Sequence, residues 1–424
     1  MWLTLPAFFG FASQASCLFD TVGSRNCNGL ARARSLHGPK RYRSRGPPLD
    51  VLTGIVVLDF VAPSHRTASL PDDQRGTFFD GVDLITALRQ RGTDVEHVLL
   101  AGQPTFSIGS SPSCDISVEG GYLSTLHCVL ERRGQRIRVH DQASKNGTFF
   151  SGRRESQFDI GPGDSFVAAS TTFLALNEEM RLARPVVSEI LGTERFEAID
   201  DLLMVSVRGS HVVVHAEPGN DQARLARAIH TASLRRRYHL VTASPATANQ
   251  STLDRQVIEH ATGGTLLLQI DPEGVSFEQS FVELLLAPTS NVRIIASALS
   301  LDLAIRALGA ELVGRSHQVT IGPVRERGGE IVSLLERWFI DRRSALRVTD
   351  FTEANRGALM RYRWPGNLEE LRDAADRLVA LAPHPSIRQA APTLNISRST
   401  LQRWLDAIGL TLPLCTIRPE DANE

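Results

Sequence analysis

Apolar and polar positions change their period along the chain. Between His97 and Leu176, short apolar alternations are broken by Gly, Ser, Asp and Asn; examples are Val98-Leu99-Leu100, Phe106-Ser107-Ile108, Cys128-Val129-Leu130, Ile137-Arg138-Val139 and Thr148-Phe149-Phe150. Successive side chains of a strand face opposite ways, so this rhythm predicts the half-buried strands of a β-sandwich. From Pro185 the runs become continuously apolar, as in Val212-Val213-Val214, Thr265-Leu266-Leu267-Leu268 and Val292-Arg293-Ile294-Ile295-Ala296, and they alternate with helical spacing such as Asp221 to Leu234. Strands covered on both faces read this way, and their alternation with helices predicts a parallel α/β sheet. From Gly328 to near Leu410 the period is helical, broken at Trp364-Pro365-Gly366, Pro383 and Pro385.

Length adds that 424 residues exceed a single core, so several domains are expected. With 42% hydrophobic and 22% charged residues the composition is that of soluble globular protein. The formal charge of -1 excludes global attraction to nucleic acid or membrane; contact with DNA has to come from a local basic patch. Cys17, Cys27, Cys114, Cys128 and Cys415 are scattered, with neither metal spacing nor a disulfide framework, which predicts a reducing cytoplasm. Trp2 to Ala12 is apolar, but lacks a preceding Lys or Arg and is too short to span a bilayer, so no membrane partner is expected. Arg32 to Pro48, with the basic run Lys40 to Arg45, has little to bury, and residues 1–71 read as a disordered basic segment.

Certain short loops carry the groups that a phosphate dianion needs: small hydroxyls, turn glycines and an amide. They are Ile108-Gly109, Cys114-Asp115-Ile116, Ser124-Thr125-Leu126-His127, Asp141, Ser144-Lys145-Asn146-Gly147-Thr148, Ser151-Gly152 and Gly161-Pro162-Gly163-Asp164. In order and spacing they resemble the FHA family of phosphothreonine-reading sandwiches. The resemblance implies that Ser124 and Thr125 meet the phosphate, that Asn146 holds the peptide main chain, and that Gly109, His127, Gly147 and Gly152 are structural. The family places Arg after the first glycine, where this chain has Ser110; Lys145 stands in a position usually given to a small hydroxyl and offers a replacement cation.

Residues 186–381 resemble the central domain of NtrC-like enhancer-binding proteins, AAA+ activators of sigma-54 polymerase. The matching motifs are Gly263-Gly264-Thr265-Leu266-Leu267-Leu268, Val324-Arg325-Glu326-Arg327 and Trp364-Pro365-Gly366-Asn367-Leu368-Glu369-Glu370-Leu371, with Ala216-Glu217-Pro218-Gly219 before them. A phosphate-binding loop requires glycines and a Lys. Aligned on Gly219, the second glycine falls on Asp221 and the Lys on Gln222; the metal-and-water pair falls on Gln269 and Ile270, with Asp271 and Glu273 just beyond. The sensor Asn falls near Leu299 and the lid Arg on Glu369, while Arg315 is retained. A negative charge at Asp221 repels a polyphosphate. The expected result is a degenerate site, with no catalytic residue, metal or cofactor. The Gly-Ala-Phe-Thr-Gly-Ala loop that contacts polymerase in this family has no counterpart between Val241 and His260.

Finally, Ile387 to Leu394, the turn Asn395-Ile396, a Ser397 cap and a helix from Arg398 to Ile408 closed by Gly409 resemble a Fis-type helix-turn-helix. Ile396, Leu401, Leu405 and Ile408 would face inward. Arg398, Ser399, Thr400, Gln402 and Arg403 would lie on the leading surface, where a recognition helix meets bases and phosphates.

The expected fold is therefore multidomain: a disordered segment 1–71, an FHA-like sandwich 72–178, a degenerate AAA+-like α/β core 185–340, a helical lid 341–383, an all-α helix-turn-helix 384–412 and a tail 413–424. The expected function is a cytoplasmic DNA-binding transcription regulator that senses a phosphothreonine protein, a Ser/Thr kinase or its substrate. Its partners would be that protein and double-stranded DNA, with homo-oligomerisation left open. An active sigma-54-dependent ATPase activator and an FHA adaptor without DNA binding are the alternatives.

Overall fold

The computed structural model describes residues 84–416 except 121, 246–250, 271–275 and 288, together with the backbone of 56–58. A short strand, β1 (Val56–Leu58), precedes the sandwich and belongs to a later sheet. The alternating region then forms β2 (Ala87–Gln90), β3 (Glu96–Val98), β4 (Thr105–Gly109), β5 (Ile116–Ser117), β6 (Cys128–Arg133) and β7 (Arg136–Asp141). It continues with β8 (Thr148–Phe150), β9 (Arg153–Arg154), β10 (Gln157–Ile160), β11 (Ser165–Ala168) and β12 (Thr171–Leu176). Two sheets result, ordered β10-β7-β6-β4-β5 and β3-β2-β12-β11-β8-β9. Their inner faces meet through Ile108, Leu130, Val139, Phe166 and Phe173, all buried, with the last two rings stacked 5.4 Å apart. β3 stops at Val98 instead of running on through Leu100, which is exposed.

No linker separates this sandwich from the next layer. Asn177 accepts a hydrogen bond from the Met180 amide and caps α1 (Glu178–Leu191), so the core begins at Glu178 and not at 185, and Pro185 lies inside the helix. There follow α2 (Phe196–Arg208), β13 (Val212–His215), α3 (Gln222–Thr231), β14 (Leu240–Ala243), α4 (Ser251–Ala261) and β15 (Thr265–Gln269). Then come α5 (Gln279–Leu286), β16 (Arg293–Ala298), α6 (Leu301–Leu308), α7 (Ala310–Gly314) and β17 (His317–Thr320). The sheet order is β1-β14-β15-β16-β13-β17, parallel except for β1. Residues 56–58 thus depart from the disorder expected of 1–71. An open strand edge offers unpaired backbone groups, and the apolar run Val56-Val57-Leu58, two of its three residues β-branched, pairs with residues 240–242 there.

The lid comprises α8 (Ile331–Asp341), α9 (Glu353–Arg361) and α10 (Asn367–Leu381), followed by a hairpin of α11 (Ile387–Thr393) and α12 (Arg398–Ile408). One apolar cluster runs from Ala87 and Leu176 of the sandwich, through Leu202 and Val214, to Trp338 and Leu378 of the lid and Leu405 of the hairpin. A second cluster, including Val241, Leu266 and Phe281, fills the other face of the parallel sheet. At the sandwich–core junction the fully buried Asp200 accepts a 3.0 Å bond from the Gly92 amide, with Arg89 and Arg184 at 3.4 and 3.5 Å. The start of the expected tail also packs: Leu414 is fully buried, and Asn355 Nδ2 donates to the Thr411 and Leu414 carbonyls at 2.9 and 3.0 Å. Residues 413–416 therefore belong to the lid, drawn in by the donors of a buried asparagine on α9.

His230 on α3 gives the core a pH signature. Its ring accepts from the Thr265 hydroxyl at Nδ1 (2.8 Å) and donates from Nε2 to the Tyr238 carbonyl (3.1 Å). Burial lowers its pKa to about 4. The unfolded chain binds that proton near the ordinary value of 6.5, so stability is complete above 6.5 and is lost as pH falls toward 4. The loss from this residue is roughly 3 kcal/mol. Urea unfolding across that window should show it, and His230→Gln should remove that part of the slope; identical slopes in both proteins would refute the assignment.

Candidate functional sites

The loops of the sandwich converge on Ser124. Its amide donates to His127 Nδ1 at 3.2 Å, and His127 Nε2 donates to the Gly147 carbonyl at 3.2 Å. The fully buried imidazole, held in one tautomer, ties the Ser124 loop to the Asn146 loop. Ser124 Oγ in turn accepts from the Lys145 amide at 3.1 Å, and Ser110 N donates to the Ser124 carbonyl at 3.0 Å. Gly109 has no alternative, because a Cβ there would stand 2.1 Å from the Thr125 oxygen. Asp141 anchors the 144–148 loop by accepting from Ser144 Oγ (2.5 Å), Ser144 N (3.0 Å) and Thr148 Oγ1 (2.7 Å). Burial pushes its carboxyl pKa up, but these donors outweigh burial and hold it below the usual carboxylate range. Ser110, Thr125, Lys145 and Asn146 remain exposed around the half-buried Ser124, so a phosphate can approach. Gly147 and Gly152 adopt φ of 81° and 78°, as turn glycines should.

The second site lies where β13 meets the lid. Asp221, in left-handed conformation at the start of α3, is nearly buried and is bonded by Arg372 of α10 (Nη1, 3.0 Å) and by Arg224 (2.8 Å). Glu189 of α1 accepts from the same two arginines, both at 2.7 Å. Burial opposes the charge on both carboxyls, but the paired guanidinium groups win and hold both pKa values low. The lid also touches the loop backbone: Glu369 N donates to Gly219 O at 2.9 Å, and Asn367 Nδ2 to Pro218 O at 2.9 Å. A Cβ on Gly219 would stand 2.2 Å from the Gly366 oxygen. Beside this closed seam a cavity of about 240 Å³ persists, lined by Gln222, Gln269, Ile270, Ser297, Leu299 and Glu369 among others. Its described lining holds no cation, and burial followed by repulsion from Asp221 raises the Glu369 pKa. Asp271 and Glu273 lie outside the described residues.

At the C-terminus, Ser397 caps α12 by accepting from the Thr400 amide at 3.1 Å, and Gly409 closes the helix in left-handed conformation. Leu401, Leu405 and Ile408 are buried, while Ile396 is half-buried. Arg398, Ser399, Thr400, Gln402 and Arg403 are all exposed. Gln402 Nε2 donates to Asp406 at 2.7 Å, and the Ser399 and Thr400 hydroxyls bond to Ser397, so these groups must exchange partners to meet another molecule. Trp404, half-buried, lies under the Arg377 guanidinium of the lid at 5.2 Å.

Residues 106–167 match the FHA domain family and residues 325–400 the AAA+ ATPase lid domain family. The chain carries an FHA domain and an AAA+ lid domain. The transcriptional regulatory protein ZraR of Klebsiella oxytoca is 29% identical over 43% of this chain and 50% of its own length. The alginate biosynthesis transcriptional regulatory protein AlgB of Pseudomonas putida is 27% identical over 48% of this chain and 52% of its own. The chain thus spans about half the length of these curated relatives. Among solved structures, NtrX from Brucella abortus in complex with ADP aligns with 20% identity and a TM-score of 0.36, over 50% of this chain and 68% of that one.

The matched lid is wider than the expected 341–383: it takes in α8 and, at its other end, α11 and the start of α12, which were expected to belong to the helix-turn-helix. Helix α8 follows the Val324-Arg325-Glu326-Arg327 motif after one turn, Gly328–Glu330, and packs on α10 through the shared apolar cluster. Sequence reading also overlooked Arg372, Arg224 and Glu189. Arg372 follows Glu369 by one helical turn on α10 and so points toward the same loop; an acid gained at Asp221 alongside a base one turn away was the available signal. In the FHA domain, the exposed Tyr122 and Arg154 were likewise overlooked: Tyr122 O accepts from Asn146, and Arg154 donates to the Ser144 carbonyl at 3.2 Å. No helix among the described residues is long and apolar enough to cross a membrane.

Proposed function

We propose that this chain is a transcription regulator that docks a phosphothreonine-bearing protein on its FHA domain and binds double-stranded DNA with the α11–α12 hairpin, on an AAA+ scaffold that does not hydrolyse ATP. The observation that carries the last part is Asp221. Where a polyphosphate requires a cation, this chain has a buried carboxylate, and Arg372 is spent on it. Purified protein should show neither magnesium-dependent ATP binding at this seam nor turnover; measurable hydrolysis would favour the active sigma-54-type ATPase instead.

DNA binding is supported by the exposed basic start of α12 and by the regulatory names of the relatives. Genomic fragments should shift in a gel, and Arg398→Ala with Arg403→Ala should abolish the shift. Either single variant, where it removes a phosphate contact, should lower the salt slope by about 1. A wild-type protein that captures phosphothreonine peptides but shifts no fragment would be an adaptor. Phosphate reading is supported by Ser124 and by Lys145, the cation nearest to it in the loop; Lys145→Ala should weaken peptide binding about 10- to 100-fold, and unchanged affinity would assign phosphate neutralisation elsewhere. Self-association of the scaffold belongs to the same proposal and is read by light scattering.

A further inference from the structure

The lid carries a pocket that no part of the proposed function uses. It measures about 390 Å³ and is lined by Arg325, Glu326, Ile331, Met360, Arg361, Tyr362 and Arg363. That volume lies in the range of small-molecule sites, roughly 300–1,000 Å³. Three arginines line it against one acidic residue, Glu326.

The three arginines differ in their freedom. Arg325 is engaged, its two terminal nitrogens donating to Glu217 at 2.6 and 2.7 Å. Among the described residues, the side chains of Arg361 and Arg363 have neither a hydrogen bond nor an ion pair. Tyr362 between them is extended at φ -66° and ψ 139°, so the chain leaves the helix between the two arginines, and the Arg361 guanidinium lies along the last helical turn, where a Cβ on Gly357 would stand 2.9 Å from its Nη1. Tyr362 itself is pinned: its hydroxyl donates to Glu370 at 2.9 Å, and its ring meets Trp364 edge-on at 5.0 Å. Glu370 is further occupied by the Gly366 amide at 2.7 Å, so it does not compete for the arginines. The result is a fixed platform with an aromatic ring, the apolar Met360 and Ile331, and two unpaired planar forks.

From this geometry we infer that the lid binds a small phosphate-bearing ligand of nucleotide size, its phosphate oxygens on Arg361 and Arg363 and its flat part against Tyr362 and Met360. Guanidinium forks match phosphate oxygens pairwise, and an unpaired pair of them in a concave site favours an anion over a neutral molecule. The pocket is distinct from the closed seam at Asp221 and requires no ATP chemistry. It is also separate from the phosphothreonine surface, so its failure would leave that reading untouched.

The test is calorimetric titration of the full chain with inorganic pyrophosphate and, separately, with AMP, each against sodium sulfate at matched ionic strength. Saturable binding of at least one phosphate probe but not of sulfate is expected. Arg361→Ala with Arg363→Ala should weaken it about 10- to 100-fold, with the urea unfolding curve unchanged because both side chains are exposed. Tighter binding of AMP than of its ribose phosphate moiety is expected from the base on Tyr362; equal binding would overturn that contact. No saturable binding of either probe, equal binding by the double variant, or loss of binding in Ser124→Ala or in Arg398→Ala with Arg403→Ala would each overturn the assignment.

Discussion

Arg372→Leu is expected to cost about 3–5 kcal/mol of stability and to loosen the lid from the core. The guanidinium serves two carboxylates, Asp221 and Glu189, which are 6% and 4% exposed, and it stacks on Trp338 at 5.0 Å. Removing it leaves Arg224 alone to neutralise both acids in a site that water scarcely reaches. The penalty is that of an uncompensated buried charge, larger than the worth of the pair itself. Two further variants make the cause testable. Asp221→Asn combined with Arg372→Leu should recover a substantial part of the loss, since Asn tolerates the left-handed backbone at this position and carries no charge. Arg372→Lys should recover less, because one ammonium cannot bridge two carboxylates with a planar fork. Urea unfolding reads all three; a loss under about 1 kcal/mol for Arg372→Leu, the size of a surface pair, would show that the seam is not what holds the lid.

His127→Leu is expected to abolish phosphothreonine-peptide binding while leaving the protein folded. The imidazole satisfies the Ser124 amide and the Gly147 carbonyl, both in the binding loops. A leucine of similar bulk leaves both groups unpaired, at about 1–3 kcal/mol each, and frees the Ser124 hydroxyl from its register with the Lys145 amide. The binding loss should exceed that of Lys145→Ala, because the entire phosphate cradle depends on the two loops keeping their spacing. Fluorescence anisotropy with a phosphothreonine peptide checks the first half, and urea unfolding the second. Peptide affinity that survives in a folded His127→Leu protein would show that the loops hold themselves and would make the histidine dispensable.

Much of this architecture could be read before any coordinates. Period-two alternation marked the sandwich because one face of each sheet is buried, and the buried runs at Val212, Thr265 and Val292 marked the parallel strands because both faces are covered. The Ser124, His127 and Asn146 loops were legible because their spacing is tied to turns and hydrogen bonds that tolerate few alternatives. What was missed has a common physical origin. Edge pairing of Val56–Leu58 depends on partners far along the chain, Thr242 opposite Val56 and Leu240 opposite Leu58, and local composition says nothing of that. The Asp221–Arg372 and Asn355–Leu414 contacts likewise join positions far apart in the chain, and only the fold brings them together. The pocket between Arg325 and Arg363 has the same character: Arg325 and the Arg361-Tyr362-Arg363 segment become one site only when the lid folds against the turn at Val324.

The apolar cluster that runs unbroken from Leu176 to Leu405 has a consequence for signalling. The cluster joins the base of the sandwich, at Ala87 and Leu176, to the hairpin through continuous packing. On the proposed function, cargo held by the sandwich would be delivered at a set distance and bearing from the hairpin, so the message would be an address rather than a movement.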